Sequence, residues 1–316
     1  MSLTLGWNFV RRWGGLIIAV GVLAAAGLLL ARVTEEIDLD EAWQALHGVS
    51  WSHLVRALAF TTASYLALTG FDALGVYFAG GRLSYAKIAF TSFVSLSIGH
   101  TLGLAALSSG TLRMRLYTRF GLDPAAVAKI MSISALNVML GLSMLGGFGA
   151  VLNPGSLVSL LHLPTATIRR LGGAFLAFDV LYLGLSACLR KPIRIGSASF
   201  CFPPLRVATS QVLLGTGNFL LVAAALHQLT EGLSADLDFL QLATLLATAN
   251  AAGILSILPG GIGVMEAVIL AAHPKANLFA ALVVFRILYF LVPFLIGCTL
   301  FVAIEVRDRY GVAERG

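Results

Sequence analysis

The chain has 316 residues, 58% of them hydrophobic and 11% charged, with a mean hydropathy of +0.91. Soluble domains carry about 25% charged and about 45–50% apolar residues. This composition therefore excludes a water-soluble enzyme, a soluble binding module and a disordered chain, and it reads as a polytopic helical membrane protein. The 21 Lys and Arg against 15 Asp and Glu give a formal net charge of +6. Most of the bases flank apolar runs, where they orient spans and meet anionic head groups rather than nucleic acid.

A helix needs about 20 apolar residues to cross the hydrocarbon core. Residues 14–31 carry no charge and are framed by Arg11, Arg12 and Arg32. The run is longer than the roughly 7–15 residues of a signal-peptide core, so an anchored first span is expected. The next loop, 32–52, holds Glu35, Glu36, Asp38, Asp40 and Glu41 and is expected outside. Residues 53–79 form a second span, ending at Arg82 and Lys87. Asp123-Pro124 then supplies an N-cap and a first-turn proline for a long helix over 125–151.

A span over 171–189 is entered by Arg169 and Arg170. The loop after it, with Arg190, Lys191, Arg194, Arg206 and the helix-breaking Pro203-Pro204, is the strongest cytoplasmic marker. Residues 207–229 span again, the loop with Glu231, Asp236 and Asp238 is expected outside, and 278–304 form a last span followed by Arg307 and Arg309 inside. Trp7, Trp13, Trp43 and Trp51 read as interface anchors. Cys188, Cys201 and Cys298 lack CxxC spacing and read as apolar packers.

Two apolar stretches differ from the rest. In 88–112, 12 of the 21 residues from Thr91 to Thr111 are Ser, Thr, Gly or His. The other, 239–273, contains Asn250, Gly253 and the break Leu258-Pro259-Gly260-Gly261-Ile262-Gly263. If 88–112 crossed fully, Arg113, Arg115 and Arg119 would lie outside and every later loop would oppose the positive-inside trend. If it dips and returns, those arginines lie inside with Arg82 and Lys87, and the second broken stretch must enter from the outside. The expected architecture is all-α: one integral membrane domain over 1–316, with six full spans, two re-entrant broken hairpins and both termini cytoplasmic. Eight spans are the alternative.

Shifting the sequence by 153 residues places Gly110 on Gly263, Arg113 on Glu266, and the 125–151 helix on the 278–304 helix. The order of parts recurs, span, broken hairpin, charged residue, long span, over approximately 53–151 and 207–304. One copy opens from the inside and the other from the outside, the pattern of an inverted-topology repeat. Non-helical backbone at membrane depth is tolerated where it is buried in protein or lines a wet cavity. Paired broken segments in matching positions point to a transport site.

The block Ser108-Ser109-Gly110-Thr111-Leu112-Arg113-Met114-Arg115-Leu116-Tyr117 resembles one in the membrane region of bacterial lysylphosphatidylglycerol synthase/flippase proteins. So do Leu258-Pro259-Gly260-Gly261-Ile262-Gly263-Val264-Met265-Glu266 and Phe285-Arg286-Ile287-Leu288-Tyr289-Phe290-Leu291-Val292-Pro293. The stand-alone members of that family are small membrane proteins of the YbhN type. The resemblance follows the segment order over nearly the whole chain and implies a lipid-flippase-like domain, with an aminoacylated phosphatidylglycerol among the amphiphiles it would move. The full-length synthases carry a cytosolic aminoacyl transferase domain after the membrane region. Here the sequence stops soon after Glu305, and no synthase activity is expected.

A charge at a helix centre costs about 2.5–3.5 kcal/mol on insertion scales, so each needs a partner or a water path. Glu266 falls in the first turn after the Pro259-Gly260-Gly261…Gly263 break, and Arg286 lies about two turns into the last span. They are expected to pair, to line the cavity, or both. Arg113, beside Gly110 at the first hairpin's exit, and Arg286 are the candidates for a lipid phosphate, which a guanidinium fork fits. Arg115 and Arg119 read as interfacial. Asp179 and Asp72 read as lone acids, for proton coupling or for a cationic head group, with snorkelling or a Ser/Thr partner as the plainer reading for Asp72.

Asn137, Asn218 and Asn250 suit interhelical hydrogen bonds, with a cavity role added for Asn250. His100 reads as a hydrogen-bonded packer. Tyr117 and Tyr289 are expected near head groups.

No phosphate-binding loop, HExxH, GxSxG or dinucleotide fingerprint occurs, so no catalytic residue, metal or cofactor is expected. The expected function is movement of an anionic or zwitterionic phospholipid, or a related amphiphile, between leaflets of the bacterial inner membrane. The rivals are an ion-coupled transporter of a small polar solute, using Asp179 and Glu266, and a non-catalytic partner of a lipid-modifying enzyme. Association with such an enzyme or with further copies of the chain is kept open.

Overall fold

The computed structural model describes residues 39–313 except 103–104, 190–192, 196–197, 201, 236, 257–262 and 275. The expected span over 14–31, Trp7, Trp13, Arg190, Lys191, Cys201, Asp236 and both chain termini lie outside the described residues. In chain order the helices are α1 Leu39–Gly48, α2 Trp51–Phe78, α3 Tyr85–Leu102, α4 Ala105–Arg119, α5 Pro124–Leu152, α6 Gly155–Leu161 and α7 Thr165–Cys188. There follow β1 Ile193–Ile195, β2 Ala198–Phe200, α8 Leu205–Gly232, α9 Phe239–Ser256, α10 Val264–Ala272, α11 Ala276–Arg286, a π-helical turn Ile287–Leu291, and α12 Val292–Ala313.

Six of the helical stretches described are long and apolar enough to cross a bilayer: Trp51–Phe78, Pro124–Leu152, Thr165–Cys188, Leu205–Gly232, Phe239–Ser256 and Leu278–Arg307. The protein is an α-helical polytopic membrane protein. Local chemistry sets the helix ends. Asp123 caps α5 by accepting from the Ala126 amide at 2.8 Å, with Pro124 in the first turn.

Three local expectations need correction. The acidic 32–52 segment is not all loop, because 39–48 coil into α1, whose Ala45 and the following Val49 bury their apolar surface. The 152–168 connection likewise contains α6. The basic loop folds into a small antiparallel β-hairpin, Ile193 pairing with Phe200, where alternating β-branched and aromatic residues favour a strand.

Both interrupted stretches fold back. Ser108 donates to the Gly99 carbonyl across the α3–α4 pair, and Lys87 at its start lies 5.3 Å from the Phe120 ring at its end. In the second hairpin, Gln241 near the start of α9 is 2.5 Å from His273 just past α10, and 2.5 Å from Ser156 of α6. Helix α5 begins where the first hairpin ends and finishes beside the base of the second, so the hairpins enter from opposite ends of the molecule.

The spacing is regular. Helices α2 and α8 each have 28 residues, and α3 and α9 each have 18. Both pairs start 154 residues apart, one more than the 153 expected from the sequence; the same separation joins Ser64 to Asn218, whose side-chain oxygen accepts the Ser64 hydroxyl at 2.8 Å. The two 28-residue helices pack together at the centre, and α5 crosses α8 so closely that Gly141 and Gly215 touch through their backbones.

The last span is interrupted by its own sequence. Pro293 has no N–H to give the Tyr289 carbonyl one turn earlier. The backbone widens into the π-turn, and that carbonyl accepts the Tyr65 hydroxyl at 3.1 Å instead.

Candidate functional site

The second hairpin carries the ion pair expected between Glu266 and Arg286. Gly263, at φ +82°, adopts the left-handed conformation that a residue without Cβ takes readily, and so starts α10. Three residues on, Glu266 projects from the first turn toward Arg286 at the end of α11. The guanidinium grips it with both prongs, Nη2 to Oε2 at 2.7 Å and Nε to Oε1 at 2.5 Å. The side chains are 19% and 13% exposed, so the pair is reachable rather than sealed. Pro259, Gly260 and Gly261 lie outside the described residues.

The first hairpin carries a different arrangement. Arg113 of α4 is buried, and its fork closes on Asp72 of α2, Nη2 to Oδ1 at 2.7 Å and Nε to Oδ2 at 3.0 Å. Tyr117 and Ser134 each donate a hydroxyl to the same carboxylate at 2.8 Å. Two prongs and two hydroxyls satisfy a charge that would otherwise be costly to bury. Asp72 is therefore neither lone nor snorkelling, Tyr117 is buried rather than near head groups, and the Arg113 fork is occupied. A signal was present in the sequence: an acid and a base in neighbouring apolar segments, each in need of a partner. Gly110, on the same arm, lies where a Cβ would come 2.5 Å from Met131 Cε, so it brings α4 against α5.

Arg115 and Arg119 are not simply interfacial. Glu305 of α12 accepts Arg115 through both oxygens, at 2.9 and 2.8 Å, and Arg119 at 3.5 Å. Sequence reading missed Glu305 because it sits where a span ends, a place where a charge needs no special explanation.

The remaining residues fall at other places. Tyr289, expected near head groups, is buried at the centre, hydroxyl to hydroxyl with Ser64 at 2.8 Å and stacked on Phe285 at 5.1 Å. With Asn218 bonded to the same Ser64, this polar knot ties α2, α8 and the last span together. The Asn250 amide donates to the Leu246 carbonyl of its own helix at 2.8 Å. Asp179 is fully buried and accepts the Ser143 hydroxyl at 2.7 Å. Among the described residues, no three His, Cys, Asp or Glu side chains gather as a metal site would require.

Together these features define a polytopic α-helical membrane protein in which two broken hairpins enter from opposite ends and each return arm is held by a two-pronged ion pair. The chain is 31% identical over 259 residues to the Synechocystis sp. protein slr0712, covering 79% of this chain and 80% of that one. It is 26% identical over 288 residues to the inner membrane protein YbhN of Escherichia coli, covering 89% of each. No family profile matches the chain. It belongs to the same family of membrane proteins as slr0712, and its similarity to YbhN supports a YbhN-type membrane family.

Proposed function

We propose that this protein resides in the inner membrane and carries a phospholipid or a similar amphiphile between the leaflets, as a carrier and not as an enzyme. The observation that carries the reading is the pair of hairpins opening from opposite ends, one with its ion pair sealed and the other with its ion pair reachable. In an alternating cycle the two would exchange these conditions. Arg286 is the group that meets the head group, because a fork that grips the Glu266 carboxylate can release it for a phosphate of similar geometry. Release of Glu266 leaves an acid beside the site, which suits a head group that also bears an ammonium, such as a zwitterionic or aminoacylated lipid. The resemblance to the synthase/flippase membrane region and the inner-membrane designation of YbhN support the same reading. Without a nucleotide site, net movement follows a lipid or ion gradient.

The test is transfer of a fluorescent-tail phosphatidylglycerol in proteoliposomes, read by chemical quenching of the outer leaflet. Wild type accelerates transfer over protein-free vesicles. Arg286→Ala and Glu266→Ala each slow it about tenfold, the effect of removing roughly 1.4 kcal/mol of interaction. Unchanged rates in both variants defeat the assignment.

A further inference from the structure

A second kind of buried acid lies away from both hairpins, on the seam where α7 packs against α5 and α8. Asp179 is fully buried, and only Oδ1 is bonded, to Ser143 of α5; Oδ2 has no partner. Titratable groups on the elements packed around it are Tyr182 on the next turn of α7, Arg169 and Arg170 at the start of α7 and Cys188 at its end, Lys129 on α5, Arg206, His227 and Glu231 on α8, and His162 after α6. All but Tyr182 sit about two helical turns or more from Asp179, and among the described residues none forms an ion pair with it.

The seam continues toward the junction of α7 and α8 as a run of buried polar groups. Tyr182 donates to Gln211 Oε1 at 2.5 Å, and Gln211 Nε2 is unpartnered. Ser186 Oγ and both polar atoms of the Asn137 side chain are also buried without partners. Each such atom gives up its bonds to water with nothing in return, a cost a membrane helix carries for function more readily than for packing. The contrast with Asp72, held by two prongs of Arg113 and two hydroxyls, is one of chemistry. Asp72 has everything a carboxylate needs; Asp179 has one donor and an open oxygen.

We infer that Asp179 is a proton-exchange site coupling the transport cycle to a proton gradient. Oδ2 takes a proton from hydronium, giving the neutral acid and water, and returns it to water on the other side. Tyr182, Gln211 and Ser186 offer the hydroxyls and amide along which the proton passes toward the α7–α8 junction. The word coupling rests on the lipid-carrier reading above; proton exchange does not.

The test treats the full chain in proteoliposomes with dicyclohexylcarbodiimide, which adds to neutral carboxyls in apolar surroundings, and maps adducts by mass spectrometry. The expected adduct is on Asp179, weaker in alkaline than in acidic buffer, with Asp72 unmodified. No adduct on Asp179 at any pH, or one indifferent to pH, overturns the inference. In vesicles holding a pH dye, an imposed gradient decays faster with wild type than with Asp179→Asn, and Asp179→Glu restores the flux; equal decay overturns it. If labelling and flux hold while fluorescent lipid stays put, the proton site stands and the lipid reading falls. If lipid moves equally fast with and without the gradient, coupling is refuted.

Discussion

The two hairpins are the same part in two conditions. In the first, Ser92, Ser95 and Ser97 are fully buried, and Val94, Ile98, Leu112 and Leu116 pack on Phe294, Cys298 and Phe301 of the last span. In the second, Ile254 and Leu255 are 63% and 80% exposed before the break, and of α10 only Ile269 is buried. Gly99 and Gly253 stand at matching places, 154 residues apart. A Cβ on Gly99 would lie 2.6 Å from that of Ser109, whereas one on Gly253 would meet nothing within 4 Å. The difference teaches that small side chains meet two environments: on the first hairpin they let backbones close together, and on the second nothing packs against the glycine. One hairpin is clamped by close packing and the other is more open.

The comparison breaks first at Arg113. Its removal strands the Asp72 charge, and Arg113→Ala is expected to cost on the order of 3–5 kcal/mol, read as a fall in unfolding temperature in detergent. The double variant with Asp72→Ala recovers part of the loss, since the two effects are coupled. A cost near that of a surface pair would mean the first hairpin is not clamped. Next come the matched glycines. Gly99→Ala is expected to destabilise by about 1–3 kcal/mol through overpacking, whereas Gly253→Ala is neutral or stabilises by up to about 1 kcal/mol through helix propensity. Equal effects would erase the asymmetry.

Third, Glu266→Ala should separate function from stability, with unfolding moved by less than about 2 kcal/mol while lipid transfer drops; the charge-exchanged pair Glu266→Arg with Arg286→Glu recovers stability but not transfer. Smallest is Glu305→Ala, expected to cost about 0.5–1 kcal/mol because its pairs with Arg115 and Arg119 are partly solvated and salt-screened. The loss should shrink in high salt.

Much of this was legible in the residues. Asp123-Pro124 announced the start of α5, and the Ser/Gly-rich stretch and the stretch around Gly263 marked where the chain folds back. The Glu266–Arg286 pair followed from two charges in apolar surroundings. Partner choice across the fold was less legible. Asp72 and Arg113 are 41 residues apart, and only the packing of α3 and α5 against both α2 and α4 makes the acid the arginine's neighbour. The π-turn depended on a hydroxyl from Tyr65, 224 residues away, arriving to take the carbonyl that Pro293 leaves free. The unpartnered oxygen of Asp179 was also beyond the sequence, because it reflects what three helices fail to supply.

Where Ser64 meets Asn218, each residue faces the one that occupies its own place in the other half. Ser64 also meets the Tyr289 hydroxyl, so the two places match in position but not in partners. A single-residue insertion ahead of Ser64 would turn its hydroxyl about 100° away from Asn218, and only a deletion in the same helix could turn it back. The bond thus fixes the register of the two 28-residue helices against each other.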